Sequence, residues 1–126
     1  MYKMKKSILI VDDSESIREL VGRILENANY NVYKSINGKD ALDTLAEMDQ
    51  LVSLIITDLF MPVMDGFGFV KEIRNDDKFR FTPILMLTTE THMEKKLEAK
   101  KAGVTGWMVK PFEEEKLLKI VHKIIR

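Results

Sequence analysis

Val52-Ser53-Leu54-Ile55-Ile56-Thr57-Asp58-Leu59-Phe60-Met61-Pro62-Val63-Met64-Asp65-Gly66 is the stretch from which the architecture follows. Its first six residues form an apolar, β-branched run of strand length, as expected of a strand buried on both faces. Pro62 and Gly66 stop any continuation and mark a loop. Asp58 therefore stands at the C-terminal end of a buried strand, the edge at which open α/β sheets bind ligands. Taken alone, it is equally consistent with a helix cap or a turn former.

Three other places in the chain bear on that choice. Asp12 and Asp13 follow the apolar run Ser7-Ile8-Leu9-Ile10-Val11. Adjacent carboxylates repel unless a cation or basic group lies between them, although one of them would also serve to cap a helix beginning near Ser14 or Glu15. Thr88 closes Pro83-Ile84-Leu85-Met86-Leu87, where a β-branched residue finishing a strand is ordinary. Lys110 follows Gly106-Trp107-Met108-Val109 and precedes Pro111-Phe112, where a solvated lysine near a turn is ordinary too. Parallel strands bring all these C-terminal ends to one sheet edge. That edge then carries three carboxylates, a hydroxyl and an ammonium. A hard cation such as Mg²⁺ relieves the repulsion while keeping several waters, and the lysine and hydroxyl are left for an incoming anion. This is a layout for phosphoryl transfer.

Working outward, strands are predicted at 8–11, 32–35, 54–57, 84–87 and 107–109. Helices are predicted between and after them, at 16–28, 39–48, 67–75, 92–102 and 113–125. The first carries Ile17, Leu20, Val21, Ile24 and Leu25 at helical period. The second carries Ala41, Leu42, Leu45 and Ala46, the third Phe69, Val70 and Ile73, and the last Leu117, Ile120, Val121 and Ile124. The fourth is mostly charged, with Met93, Leu97 and Ala102 as its apolar anchors and Gly103 ending it. Strict alternation of strand and helix predicts an α/β fold, a doubly wound five-stranded parallel sheet with helices on both faces. No repeat, linker or low-complexity stretch interrupts it, so residues 1–126 are expected to form a single domain.

Composition narrows the function. A hydrophobic content of 45% suits a packed core rather than a disordered chain. Twenty basic and twenty acidic residues cancel, which gives no support for bulk binding to nucleic acid or an anionic membrane. With no cysteine, a disulfide scaffold, a thiolate zinc site and a cysteine nucleophile are excluded. The basic opening Met1-Tyr2-Lys3-Met4-Lys5-Lys6 precedes an apolar stretch, but that stretch ends at two aspartates. It is too short for a signal peptide, and no run approaches the roughly 20 apolar residues that span a bilayer. The expected location is cytoplasmic.

The strings Ile8-Leu9-Ile10-Val11-Asp12-Asp13, Asp58 through Gly66, Leu87-Thr88, Ala102-Gly103 and Val109-Lys110-Pro111-Phe112 resemble those of the receiver domain of two-component response regulators, in its single-domain CheY-like form. The resemblance runs from about Ile8 to the C-terminus. It implies the flavodoxin-like strand order 2-1-3-4-5 and a phosphorylation-controlled signalling switch, chemotaxis regulators included, rather than a conventional enzyme. Asp58 would be the nucleophile and phosphoacceptor. Asp13 and Asp58 would ligate Mg²⁺ directly, Asp12 directly or through water, and the backbone carbonyl of Phe60 would complete the set. Lys110 would pair first with Asp58 and then with a phosphoryl oxygen, across a cis peptide before Pro111. Thr88 would donate its hydroxyl to the attached group while Trp107 turns inward. Trp107 is larger than the usual Tyr or Phe there, and as a half-buried strand aromatic it need have no switching role.

The resemblance further implies a histidine kinase, a phosphotransfer protein or a small acyl phosphate as donor. A downstream target protein would dock on the surface of His92 to Ala102, Trp107 and Glu113 to Ile125. Lys95, Lys96, Lys100 and Lys101 on that surface otherwise read as a solvated face, and His92 and His122 form no metal or catalytic pair. Phe60 and Thr89 are placed to crowd the approach of a hydrolytic water, and Glu90 to orient it. Two alternatives stand beside this reading. One is a Mg²⁺-dependent phosphatase of the haloacid dehalogenase type, although Asp12-Asp13-Ser14 lacks an acid two residues after the first. The other is a pseudo-receiver that binds partners without phosphorylation.

Overall fold

The computed structural model describes residues 5–126, so the first four residues of the basic opening stretch lie outside it. Strands and helices alternate along the whole described chain: β1 Ser7–Val11, α1 Glu15–Asn27, β2 Asn31–Ser35, α2 Gly38–Glu47, β3 Leu54–Thr57, α3 Gly66–Asn75, β4 Ile84–Thr88, α4 Met93–Ala102, β5 Gly106–Val109 and α5 Glu114–Ile125. All pairings are parallel, in the order β2-β1-β3-β4-β5. This is the expected flavodoxin-like sheet, and each predicted element is present to within a residue or so at its ends.

The period of two along each strand divides the core. Leu9, Val11, Ile55, Ile84 and Met86 face Ala41 and Leu45 of α2, Phe69, Val70 and Ile73 of α3, and Ala99 of α4. Ile8, Ile10, Leu54, Ile56, Leu85 and Leu87 face Val21, Ile24 and Leu25 of α1 and Leu117, Val121 and Ile125 of α5. Nearly every side chain of β1, β3 and β4 is buried, which is why these runs are continuously apolar. Each such Ile, Leu or Val contributes about 1.5–3 kcal/mol relative to exposure.

Several predicted contacts are corrected. The cap of α1 is not an aspartate. Ser14 Oγ accepts from the Ile17 N–H at 3.3 Å, while Asp12 Oδ1 accepts from the Ser14 N–H one step earlier. Leu20 is exposed, as is Ala46, and α5 buries Ile125 while Ile120 and Ile124 are only half-buried. The largest departure is α4. Met93 and Leu97, expected as anchors, are 64% and 51% exposed, and Ala99 is the helix's one buried residue. Leu97 precedes Ala99 by two positions, roughly 200° around the helix, so the two cannot share a face. Arg74, at the end of α3, ties this region down. Its Nε and Nη2 donate to Gly103 O at 3.1 and 2.8 Å, and its Nη1 to Arg80 O at 3.0 Å. Gly103 has φ 107°, and a Cβ there would come within 2.8 Å of Arg74 Nε.

Candidate functional site

The register of the sheet assembles the site. Val11 lies opposite Thr57 across β1 and β3, and the Asp58 N–H donates to Val11 O at 2.9 Å. Asp12 and Asp58, the next residues on each strand, are thus neighbours. On the other side Thr88 lies opposite Val109, and the Lys110 N–H donates to Thr88 O at 2.8 Å. Lys110 therefore leaves its strand at the same edge.

Its ammonium closes the cluster. Lys110 Nζ donates to Asp12 Oδ2 at 2.7 Å and to Asp58 Oδ2 at 3.1 Å. The other oxygen of Asp58, Oδ1, accepts from the Leu59 N–H at 2.6 Å and the Phe60 N–H at 3.4 Å. Asp12 and Asp58 are buried and Asp13 is exposed. Carboxylate oxygens of all three lie within 4.8 Å of one another. The family resemblance pairs Lys110 with Asp58; the structure gives the ammonium both carboxylates, with the shorter bond to Asp12.

Burial raises the Asp12 carboxyl above its usual range, opposed by the hydrogen bonds from Lys110 and the Ser14 amide. Burial also weighs against the Lys110 charge, but Asp12 and Asp58 together hold its pKa above the ordinary lysine value, so it stays an ammonium. Three carboxylates thus face one ammonium. The donors are all oxygens, charge is in excess, and Asp13 is open to solvent. This set suits a hard divalent cation that retains waters.

Thr88 stands at the same edge and is fully buried. Its hydroxyl oxygen accepts from the Glu90 N–H at 3.3 Å, so it is turned to its own loop. Trp107 lies opposite Met86 in the sheet and is half-buried. It lines a groove of about 290 Å³ with Met93, Leu97 and Val104, bordered by Lys96 and Lys100. Phe60 is 52% exposed, although its backbone reaches the Asp58 carboxylate. Thr89 is also exposed. Sequence reasoning missed Arg18, whose Nη1 donates to the backbone carbonyl of Asp12 at 2.6 Å. Its placement one turn after the Ser14 cap was the available signal.

The loop after Asp58 is tightly constrained. Val63 has φ 69°, a left-handed conformation that strains a β-branched residue. The Gly66 N–H donates to Leu59 O at 2.8 Å, and a Cβ at Gly66 would lie 2.5 Å from the backbone oxygen of Asp58. The obstructing atom is backbone, so relief requires moving Asp58 itself. Gly66→Ala is expected to cost about 1–3 kcal/mol of stability and to weaken the Asp58–Lys110 pairing. Urea unfolding gives the first effect and the Lys110 ammonium signal the second. An unperturbed variant would show that the loop has slack.

A model of the response regulator receiver domain matches residues 8–122. The chain is 38% identical over 122 residues to chemotaxis protein CheY-3 of Vibrio cholerae, covering 93% of this chain and 92% of that protein. The solved structure of chemotaxis protein CheY4 of Vibrio cholerae superposes with a TM-score of 0.90 at 47% identity, covering 96% and 99% of the two chains. The sensor histidine kinase CheAY of Helicobacter pylori is 28% identical over 119 residues, covering 94% of this chain and 15% of that protein.

Proposed function

The chain belongs to the response regulator receiver domain family, and we propose that it is a single receiver domain that works as a phosphorylation-controlled switch with Asp58 as its phosphoacceptor. The observation that carries this reading is the joint placement of Asp58 beside Asp12, Asp13 and the Lys110 ammonium at one sheet edge. In the reaction, a carboxylate oxygen of Asp58 attacks the phosphorus of a histidine kinase's phosphohistidine or of a small acyl phosphate. The bond from phosphorus to the donor breaks, and the donor leaves with its electron pair. Asp12, Asp13 and Asp58 would hold Mg²⁺, with the Phe60 carbonyl added as the family resemblance implies. When bound, this ion supplies charge that offsets repulsion between the carboxylates and the phosphoryl oxygens.

The response arises from a change of partner for two side chains. Lys110 exchanges a carboxylate for a phosphoryl oxygen. Thr88 gives up the Glu90 amide and donates its hydroxyl to another phosphoryl oxygen. Trp107 lies on the strand between Thr88 and the groove beside α4, so movement of the Thr88 loop alters the ground on which it packs. The groove of Met93, Leu97, Val104 and Trp107, with the adjoining face of α5, is the docking surface for the downstream target. Among the described residues no helix is long and apolar enough to cross a membrane, in keeping with a cytoplasmic role.

The test compares wild type with Lys110→Ala after incubation with acetyl phosphate and Mg²⁺. Intact mass counts the phosphoryl groups, and emission of Trp107, the chain's one tryptophan, reports the rearrangement. Wild type is expected to gain one phosphoryl group with a change in emission. Lys110→Ala is expected to gain fewer and to respond less per group, because the ammonium that links the group to β5 is gone. A full response per group in the variant would overturn the role of Lys110. Absence of labelling in wild type, with partner binding intact, would favour a phosphorylation-independent module, and sustained turnover of an external phosphomonoester would favour a phosphatase.

A further inference from the structure

Arg18 reaches back from α1 to the end of β1. Its backbone is fixed in the first helical turn, where its N–H donates to Ser14 O at 3.0 Å. The residue is half-buried, and its Nη1 donates to the carbonyl oxygen of Asp12 at 2.6 Å. The neighbouring acid Glu19 is engaged by Lys34 at 3.7 Å. Among the described residues no carboxylate pairs with the Arg18 guanidinium. A charged donor is therefore committed to one backbone oxygen at the edge of the acidic cluster.

We propose that Arg18 is a positioning residue for the metal site. By holding the peptide that joins Asp12 to Asp13, it fixes where Asp13 presents its carboxylate, and so favours Mg²⁺ over larger divalent cations. This role rests on the metal-assisted reading of the site given above. The Asp12 carbonyl belongs to the planar peptide whose nitrogen is that of Asp13, so fixing its oxygen fixes the direction in which the chain enters Asp13. The two buried acids have other restraints. Asp12 accepts from the Ser14 N–H and from Lys110, and its own N–H donates to Ser35 O at 3.1 Å. Asp58 accepts from the Leu59 and Phe60 amides and from Lys110. The Asp13 residue is exposed, and its carboxylate accepts no hydrogen bond among the described residues. Even so, its oxygen lies within 4.8 Å of those of Asp12 and Asp58. Its place in the cluster is thus set by its backbone, and the restraint on the preceding carbonyl is Arg18.

Position and charge act in opposite directions here. Mg²⁺ demands near-ideal octahedral ligands at short range, whereas Ca²⁺ accepts more oxygens in flexible geometry. A displaced Asp13 is therefore felt by Mg²⁺ far more than by Ca²⁺. Removing a positive charge beside the cluster would by itself strengthen the binding of both ions. Outer partners that orient metal ligands are worth about ten- to a hundredfold in affinity. An effect transmitted through one peptide belongs at the low end.

Mg²⁺ and Ca²⁺ are titrated separately into wild type, Arg18→Met and Arg18→Lys. Affinities are read by calorimetry and from the amide NMR signals of the β1–α1 loop, and urea midpoints are recorded without metal. Arg18→Met removes charge and donor at similar length. It is expected to weaken Mg²⁺ about tenfold and to change Ca²⁺ by less than about twofold. Arg18→Lys keeps a charged donor without the planar fork, so its ratio of Mg²⁺ to Ca²⁺ affinity should fall between the other two. That ratio decides alone if Arg18→Met does not fold, and a wild-type ratio would then overturn the role. In an Asp13→Ala background, Arg18→Met should have no further effect on Mg²⁺, because the residue it positions is gone. Unchanged or tighter Mg²⁺ binding by Arg18→Met, equal losses for the two ions, or the same loss with Asp13 already replaced would each overturn the role. A lowered urea midpoint with the ion ratio unaltered would make Arg18 a structural brace and overturn it too. If wild type itself takes up no Mg²⁺, the metal reading falls and this role with it, whereas uptake by wild type that ignores Arg18 removes this role alone.

Discussion

Asp58→Asn is expected to abolish covalent labelling by acetyl phosphate, with no phosphoryl group gained in intact mass. An amide is a poor nucleophile and a weak ligand for a hard cation. The substitution is nearly isosteric, and the amide oxygen can still accept from the Leu59 N–H that holds Oδ1 of Asp58 at 2.6 Å. Lys110 keeps its shorter bond to Asp12. The fold should therefore survive, and a urea midpoint near that of wild type separates loss of the nucleophile from loss of the protein. One phosphoryl group gained by the variant would move the acceptor elsewhere, with Asp12 and Asp13 the nearest oxygens.

Mg²⁺ is expected to stabilise the wild-type fold, because the folded state gathers oxygens that the unfolded chain scatters. At a hundredfold excess over its dissociation constant, an ion that binds only the folded state adds about 2.7 kcal/mol. Asp13→Ala should lose most of that increment. Its metal-free stability should stay level or rise slightly, since one of three crowded carboxylates is gone. Urea unfolding with and without Mg²⁺ measures both. Equal increments in the two proteins would remove Asp13 from the metal site. A large drop in metal-free stability would mean that Asp13 has a structural role its exposure does not suggest.

Much of this was legible in the sequence because the strands are buried on both faces. Continuous runs such as Leu54-Ile55-Ile56-Thr57 announce their position in the sheet, and each ends in a polar residue with few reasons to be there. The alternation of strand and helix brings those ends together, so Asp12, Asp58, Thr88 and Lys110 could be placed at one edge before any coordinate was known. What sequence could not supply was the choice among partners at that edge. The preference of Lys110 for Asp12, the Arg18 bond to the Asp12 carbonyl and the Thr88–Glu90 contact depend on fractions of an ångström. The anchors of α4 were misjudged for another reason. The helix holds four apolar residues, Met93, Leu97, Ala99 and Ala102, and the one it buries is Ala99, a small residue that hydropathy does not set apart from the exposed face. The strain at Val63 was equally invisible, since nothing in a Pro-Val-Met-Asp-Gly string states which residue turns left-handed.

The slender footing of α4 has a consequence for the thermodynamics of signalling. A segment that buries one alanine forfeits little when it detaches, so its local opening free energy should lie far below that of the whole fold. The central strands, by contrast, open only with global unfolding. The domain is then divided into a rigid unit that contains the carboxylates and a loosely coupled unit that carries the groove. Arg74 limits the second from one end by gripping the Gly103 carbonyl. A chemical event worth a few kcal/mol at Asp58 need not deform the core in order to be read out, because it has only to bias a helix that is already inexpensive to displace.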